Sequence, residues 1–76
     1  MKDFDRIQYN PAIMGGLPII RGMRVTVGAI VGLVASGYTT ERILELYPYL
    51  EKEDITQALQ YAAWRSDELE QPLDPV

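Results

Sequence analysis

The chain predicts a mainly α domain: a short N-terminal β segment or hairpin, followed by three helices in a helix-turn-helix layout. Three observations carry this. Two N-cap threonines, Thr26 and Thr39, each precede an apolar run, and an acidic helix start follows at Glu53-Asp54. Asn10-Pro11 and Gly15-Gly16 break the chain before the helical part, where Gly37 and Pro48 close the first two helices. The connection Pro48-Tyr49-Leu50 is tight enough to place the second and third helices side by side.

In chain order, Ile7-Gln8-Tyr9 alternates and reads as a short strand. Asn10-Pro11 marks a turn and Gly15-Gly16 a second break. Pro18–Val25 reads as a small hairpin with Arg21-Gly22 at its turn, Gly22 supplying the positive φ that such a turn needs. Arg21 then sits at the tip and Arg24 on the second arm. Both are surface charges open to three uses: an acid of the same fold, a partner chain, or phosphate.

Thr26 caps the first helix, Val27 to Ser36, with Val25 and Ile30 placed as a hydrophobic staple and Gly37 as the residue that closes the helix. This helix is apolar nearly all round, which predicts burial on most sides. Gly28, Gly32 and Ser36 recur every four residues. Two glycines inside a helix cost roughly 1 kcal/mol each relative to Ala, so something should pack closely on them: another element of the same chain, or a second copy across a dimer interface.

Thr39 caps the second helix, whose apolar side is Ile43, Leu44, Leu46 and Tyr47, and Pro48 ends it. The third helix starts near Glu51 or Lys52. Ile55, Ala58, Leu59, Ala62 and Ser66 fall on its buried face, while Glu53, Gln57, Gln60, Tyr61 and Trp64 fall on a more polar one. Residues 1–66 thus form one domain. Residues 67–76, DELEQPLDPV, read as an acidic flexible tail.

Composition narrows the function. A chain of 76 residues has a small core, so its stability is expected to be marginal or shared with a partner. It has no Cys and no His, which removes disulfides, the favoured zinc ligands and the side chain that titrates nearest neutrality. Neither a metal nor another cofactor is expected. No signal peptide is visible and Val27–Ala35 is too short to span a bilayer, so a cytoplasmic location is expected. The net charge of −4 is uneven: residues 1–40 hold four Lys or Arg and two Asp, residues 41–76 three and nine acids. Catalysis is not expected. Glu53 and Asp54 serve a helix start, and Ser36 and Ser66 lack a neighbouring base.

Two binding classes remain. For DNA, the candidates are Arg21 and Arg24 on the hairpin and Lys52, Thr56, Gln57 and Gln60 on the third helix, because Gln can pair with adenine and cations with phosphate. Glu51, Glu53 and Asp54 crowd the same helix end. For protein, the candidates are Gly28, Gly32 and Ser36 for self-association and Tyr61, Trp64, Leu69 and Leu73 for a partner. The tail acids can steer association with a basic cleft or merely keep the chain soluble.

The stretch Asn10-Pro11-Ala12-Ile13-Met14-Gly15-Gly16-Leu17-Pro18-Ile19-Ile20-Arg21-Gly22-Met23-Arg24-Val25 resembles the opening signature of a bacterial and archaeal family known as domain of unknown function four hundred and thirty-three. Gly37-Tyr38-Thr39, Ile43 to Leu50, Asp54-Ile55 and Ala58 to Ala62 resemble the rest of it, so the likeness covers about residues 7 to 63. The resemblance implies a homeodomain-like helical fold. It also implies an antitoxin-like role in a toxin-antitoxin system, with a PIN-related nuclease-like toxin as partner. Leu17 stands where the family commonly has Lys, Met23 where Thr is usual, Thr26 where Pro is often seen, and Glu51 where Thr or Ser caps the third helix. The lost Lys and the gained Glu weaken an electropositive surface. The expected function is an antitoxin-like, homo-oligomeric binder of a protein partner, with operator DNA as a further ligand; the alternative is a homo-oligomeric interaction module that binds no DNA.

Overall fold

The computed structural model describes residues 4–69. Strand β1 (Ile7–Gln8) pairs antiparallel with β2 (Ile19–Ile20), in the register Ile7 to Ile20 and Gln8 to Ile19. Three helices follow: α1 (Val27–Ala35), α2 (Thr40–Leu46) and α3 (Lys52–Leu69).

The turn expected at Arg21-Gly22 is present. Both central residues are left-handed, Arg21 at φ 46° and Gly22 at φ 74°, and the Met23 N–H donates to Ile20 O at 2.8 Å. This is the pattern of a type I′ turn. The expected second arm differs. Ile20 N–H donates to Val25 O and Thr26 bridges to Ile19, but no third strand forms, and the ladder partner of β2 is β1. The reason is local. The Thr26 side chain already accepts from Ala29 N–H at 3.0 Å, so the chain must turn into α1.

Helix α1 ends in a Schellman motif. Gly37 N–H donates to Val34 O and Tyr38 N–H to Leu33 O, each at 3.0 Å, with Gly37 at φ 96°. Thr39 caps α2 through Arg42 N–H at 3.1 Å. The core consists of Ile20, Val25, Val27, Ile30, Ile43, Leu50, Ile55, Ala58 and Tyr61. Val25 and Ile30 both belong to it, as a staple across the Thr26 cap requires.

Four expectations are corrected. Leu59, expected inside, is exposed, and Tyr61, expected on the polar face, is buried at 6%. The inward stripe of α3 runs through Asp54, Ala58 and Tyr61, because ion pairs draw Asp54 in and aromatic contacts draw Tyr61 in. Leu46 is exposed at the end of α2. Helix α3 also continues through Asp67-Glu68-Leu69, where the tail was expected to begin. No helix breaker stands before Pro72, and Glu and Leu are good helix formers.

Thr26→Ala removes both the cap and the residue that ends the hairpin arm. The expected loss is about 1 kcal/mol, read as a lower urea midpoint with an unchanged slope.

Candidate interaction surface

The electrostatic centre of the fold is Asp54, a carboxylate with 0% exposure at the first turn of α3. Its Oδ1 accepts from Arg6 Nη1 at 2.9 Å and from Arg21 Nε at 3.0 Å. Its Oδ2 accepts from Arg21 Nη2 at 2.9 Å and from the Glu51 N–H at 2.8 Å. Four charge-assisted or backbone donors thus satisfy a buried carboxylate, the condition under which burying one is tolerated. The bond to Glu51 N–H is the reach-back half of a capping box, with an Asp doing what Glu or Gln usually does.

Burial alone would push the Asp54 carboxyl up, but Arg21, the Glu51 N–H and Arg6 outweigh it and hold it below the usual carboxylate range. The Arg6 guanidinium is raised by Glu51 and then Asp54, and that of Arg21 by Asp54.

The network disposes of much of the expected DNA face. Arg21 is spent on Asp54 and on Tyr49 O, which its Nη2 reaches at 3.1 Å. The bidentate pair also supports a non-glycine residue in the left-handed region. Gln57 is half-buried and works as a clamp. Its Oε1 accepts from Arg6 N–H at 3.1 Å and its Nε2 donates to Asp5 Oδ1 at 2.6 Å. Thr56 donates its hydroxyl to Lys52 O at 3.3 Å. Arg24, Lys52 and Gln60 are exposed, and none of them makes a side-chain ion pair among the described residues.

The partner candidates also divide. Tyr61 and Trp64 are not a free aromatic surface: Phe4 packs edge-on against Tyr61 at 5.4 Å and lies 5.7 Å from Trp64. The Tyr9 and Tyr61 hydroxyls are hydrogen-bonded. The Leu69 side chain and all of Leu73 lie outside the described residues.

Gly28, Gly32 and Ser36 stay open. A Cβ at Gly32 would meet nothing within 4 Å, and one at Gly28 only its neighbouring Thr26 hydroxyl at 4.0 Å. Among the described residues, no element packs there. With Ala29 and Ala35, the three make an exposed, uncharged outer face on α1, opposite buried Val27 and Ile30.

Sequence reasoning missed two groups. The Arg6–Asp54 pair spans 48 residues and leaves no local mark beyond an acid at a helix start. Tyr9, Leu17 and Tyr49 are apolar or aromatic yet 61%, 55% and 53% exposed. No periodicity marks Leu17 and Tyr49, which sit in loops, and the strand expected over Ile7-Gln8-Tyr9 ends at Gln8, leaving Tyr9 outside it.

Residues 7–62 match the family described as Protein of unknown function (DUF433). The chain belongs to that family. A 56-residue stretch is 45% identical to the Uncharacterized protein y4eO of Sinorhizobium fredii (strain NBRC 101917 / NGR234), covering 74% of this chain and 25% of that protein. The fold also resembles the crystal structure of a DUF433 member protein from Anabaena variabilis ATCC 29413. The TM-score is 0.78 at 30% identity, over 84% of this chain and 63% of that one. The DUF433 chain therefore spans about a quarter of the curated relative and under two thirds of the solved one. Among the described residues, no helix is long and apolar enough to cross a membrane, and no group of three acids is placed to hold a metal ion.

Asp54→Asn is expected to cost about 3 kcal/mol, because it leaves two guanidinium groups without their shared charge. Wild-type stability from this site is full above the unfolded Asp value, about pH 4, and falls as pH drops through the lower folded value. Acid titration of the urea midpoint should show that loss in the wild type and a flatter profile in Asp54→Asn. Arg21→Gly, which suits the left-handed backbone, should lose less stability than Arg21→Ala in the same assay.

Proposed function

We propose that this DUF433 chain is a small cytoplasmic binding protein, not an enzyme, of an antitoxin-like kind. In this reading it self-associates through the outer face of α1 and holds a PIN-related, nuclease-like toxin. The observation that carries the binding role is that outer face. Gly28, Ala29, Gly32, Ala35 and Ser36 are exposed and uncharged, on a helix with no charged residue at all. An uncharged helix face made of small residues lets a second backbone approach closely, and closed two-fold dimers are the commonest assembly. Exposed Tyr49 and Tyr9 supply further side chains of the type that anchors protein interfaces, and exposed Leu46 adds apolar area.

The antitoxin part rests on the family likeness and on charge. A nuclease cleft must hold RNA phosphates, so it presents cations, and this chain carries a net charge of −4. The buried carboxylate cannot serve catalysis, because Asp54 has its four donors already in place.

Operator binding is a second reading. Arg24, Lys52 and Gln60 are exposed and support it, whereas Arg21 and Gln57 are engaged inside the fold. In a mobility-shift titration against the protein's own upstream region, Arg24→Ala should then weaken binding and reduce the salt slope by about 1.

Light scattering and co-purification test the main reading. The wild type should run as a dimer. Gly32→Leu should run as a monomer of unchanged helicity, since a Cβ at that position meets nothing within 4 Å among the described residues. Co-expressed with a nuclease-like reading frame from the neighbouring gene, the chain should form a complex and silence RNA cleavage. Truncation after Ser66, which removes Leu69 and Leu73, should weaken that complex if the tail takes part. No complex with the neighbouring nuclease would retire the antitoxin reading.

A further inference from the structure

The first strand adds no fully buried hydrophobic side chain to the core: every buried member lies between Ile20 and Tyr61. Residues 4–9 lie across this core as a strap. Phe4 and Ile7 contribute only partly buried side chains. The rest of the attachment is polar or edge-on: Arg6 to Asp54 and Glu51, Arg6 N–H to Gln57, Asp5 to Gln57, the Tyr9 and Tyr61 hydroxyls, and a two-residue ladder to β2. If the strap leaves, Asp54 keeps both bonds from Arg21 and the one from Glu51 N–H, so its charge stays paired.

The link between strap and core is unusual. From Asn10 to Leu17 it carries no charge and is mostly exposed. It contains three consecutive left-handed residues, Met14 (φ 52°), Gly15 (φ 67°) and Gly16 (φ 82°). Left-handed backbone is unfavourable for an L-residue such as Met14, so the folded-back link holds strain at that position. A strained hinge and an edge element docked on a core formed by the rest of the domain are the conditions under which an element exchanges between copies.

We propose that residues 4–9 exchange between two copies of this chain, each strap lying on its partner's β2 and α3, with Asn10–Pro18 as the hinge. The occupant is a second copy because its strap carries the same Phe4, Arg6, Ile7 and Tyr9 and reproduces each contact above. Opening the link relaxes the left-handed turn in both chains. Each half of the dimer then has its Asp54 completed by the Arg6 of the other copy. The inference shares with the proposed function only the idea that copies associate; it uses different residues from the α1 face.

Two experiments test it. Gly15→Ala strains the folded-back link without touching the core, since a Cβ there meets nothing within 4 Å. In the exchanged form the link is open and free of that strain, so the substitution favours exchange. By analytical ultracentrifugation the dimer dissociation constant should fall at least about tenfold. Second, the chain has no native Cys, so Ile7→Cys combined with Ile20→Cys reports on pairing without interference. The two positions face each other in a non-hydrogen-bonded pair, as the bond from Arg21 N–H to Arg6 O requires, and this spacing suits a disulfide. After mild unfolding and refolding at high concentration, exchange gives a disulfide-linked dimer on a non-reducing gel. Disulfides only within single chains, at every concentration, would overturn the proposal. A dimer constant unmoved by Gly15→Ala would overturn it as well, including where the cysteine variant fails to fold. A dimer lost in Gly32→Leu but indifferent to Gly15→Ala retires the exchange and leaves the α1 reading standing.

Discussion

Asp54 is the constraint on which the rest of the structure depends. A carboxylate inside a core this small is tolerated only if each oxygen is fully bonded, and the four donors come from three separate parts of the chain: Arg6 before β1, Arg21 in the turn after β2, and Glu51 at the start of α3. Satisfying one side chain therefore sets where the strap lies, which way the turn faces and how α3 is rotated. Gln57, one turn further along α3, repeats the theme by binding the Arg6 backbone.

This arrangement changes the balance of functions. Arg21 looked like a surface cation but is the main counter-charge of a buried acid. With Arg6 also committed, the N-terminal half keeps Arg24 as its exposed, unpaired cation among the described residues. The electrostatic part of nucleic-acid binding scales with the cations free to meet phosphate. The apolar surface is not consumed in the same way. The outer face of α1 and the loop residues Tyr9, Leu17 and Tyr49 stay in contact with water, which is where a binding protein would be expected to carry its unused apolar area. The curated relative is about four times as long as the matched stretch, so in that protein the domain is one part of a larger chain.

Much of the local architecture was legible in the sequence. The Thr26 and Thr39 caps, the Gly37 closure and the left-handed Gly22 each depend on a few neighbouring residues, so a single stretch of chain determines them. The two faces of α3 were not legible, although the helix itself was. A 3.6-residue period fits a stripe through Leu59 nearly as well as one through Tyr61. Partners far along the chain, Arg6 and Arg21 for Asp54 and Phe4 for Tyr61, chose between them.

By itself, then, the sequence determined the elements, their order, their caps and the absence of disulfide and histidine chemistry. All of these follow from residue identity or from contacts within one helical turn. Only the tertiary structure decided which charges are spent and which surface is left over. Both are questions of pairing at a distance: Arg21 meets Asp54 across 33 residues, and Gly32 is exposed because no other element among the described residues reaches it.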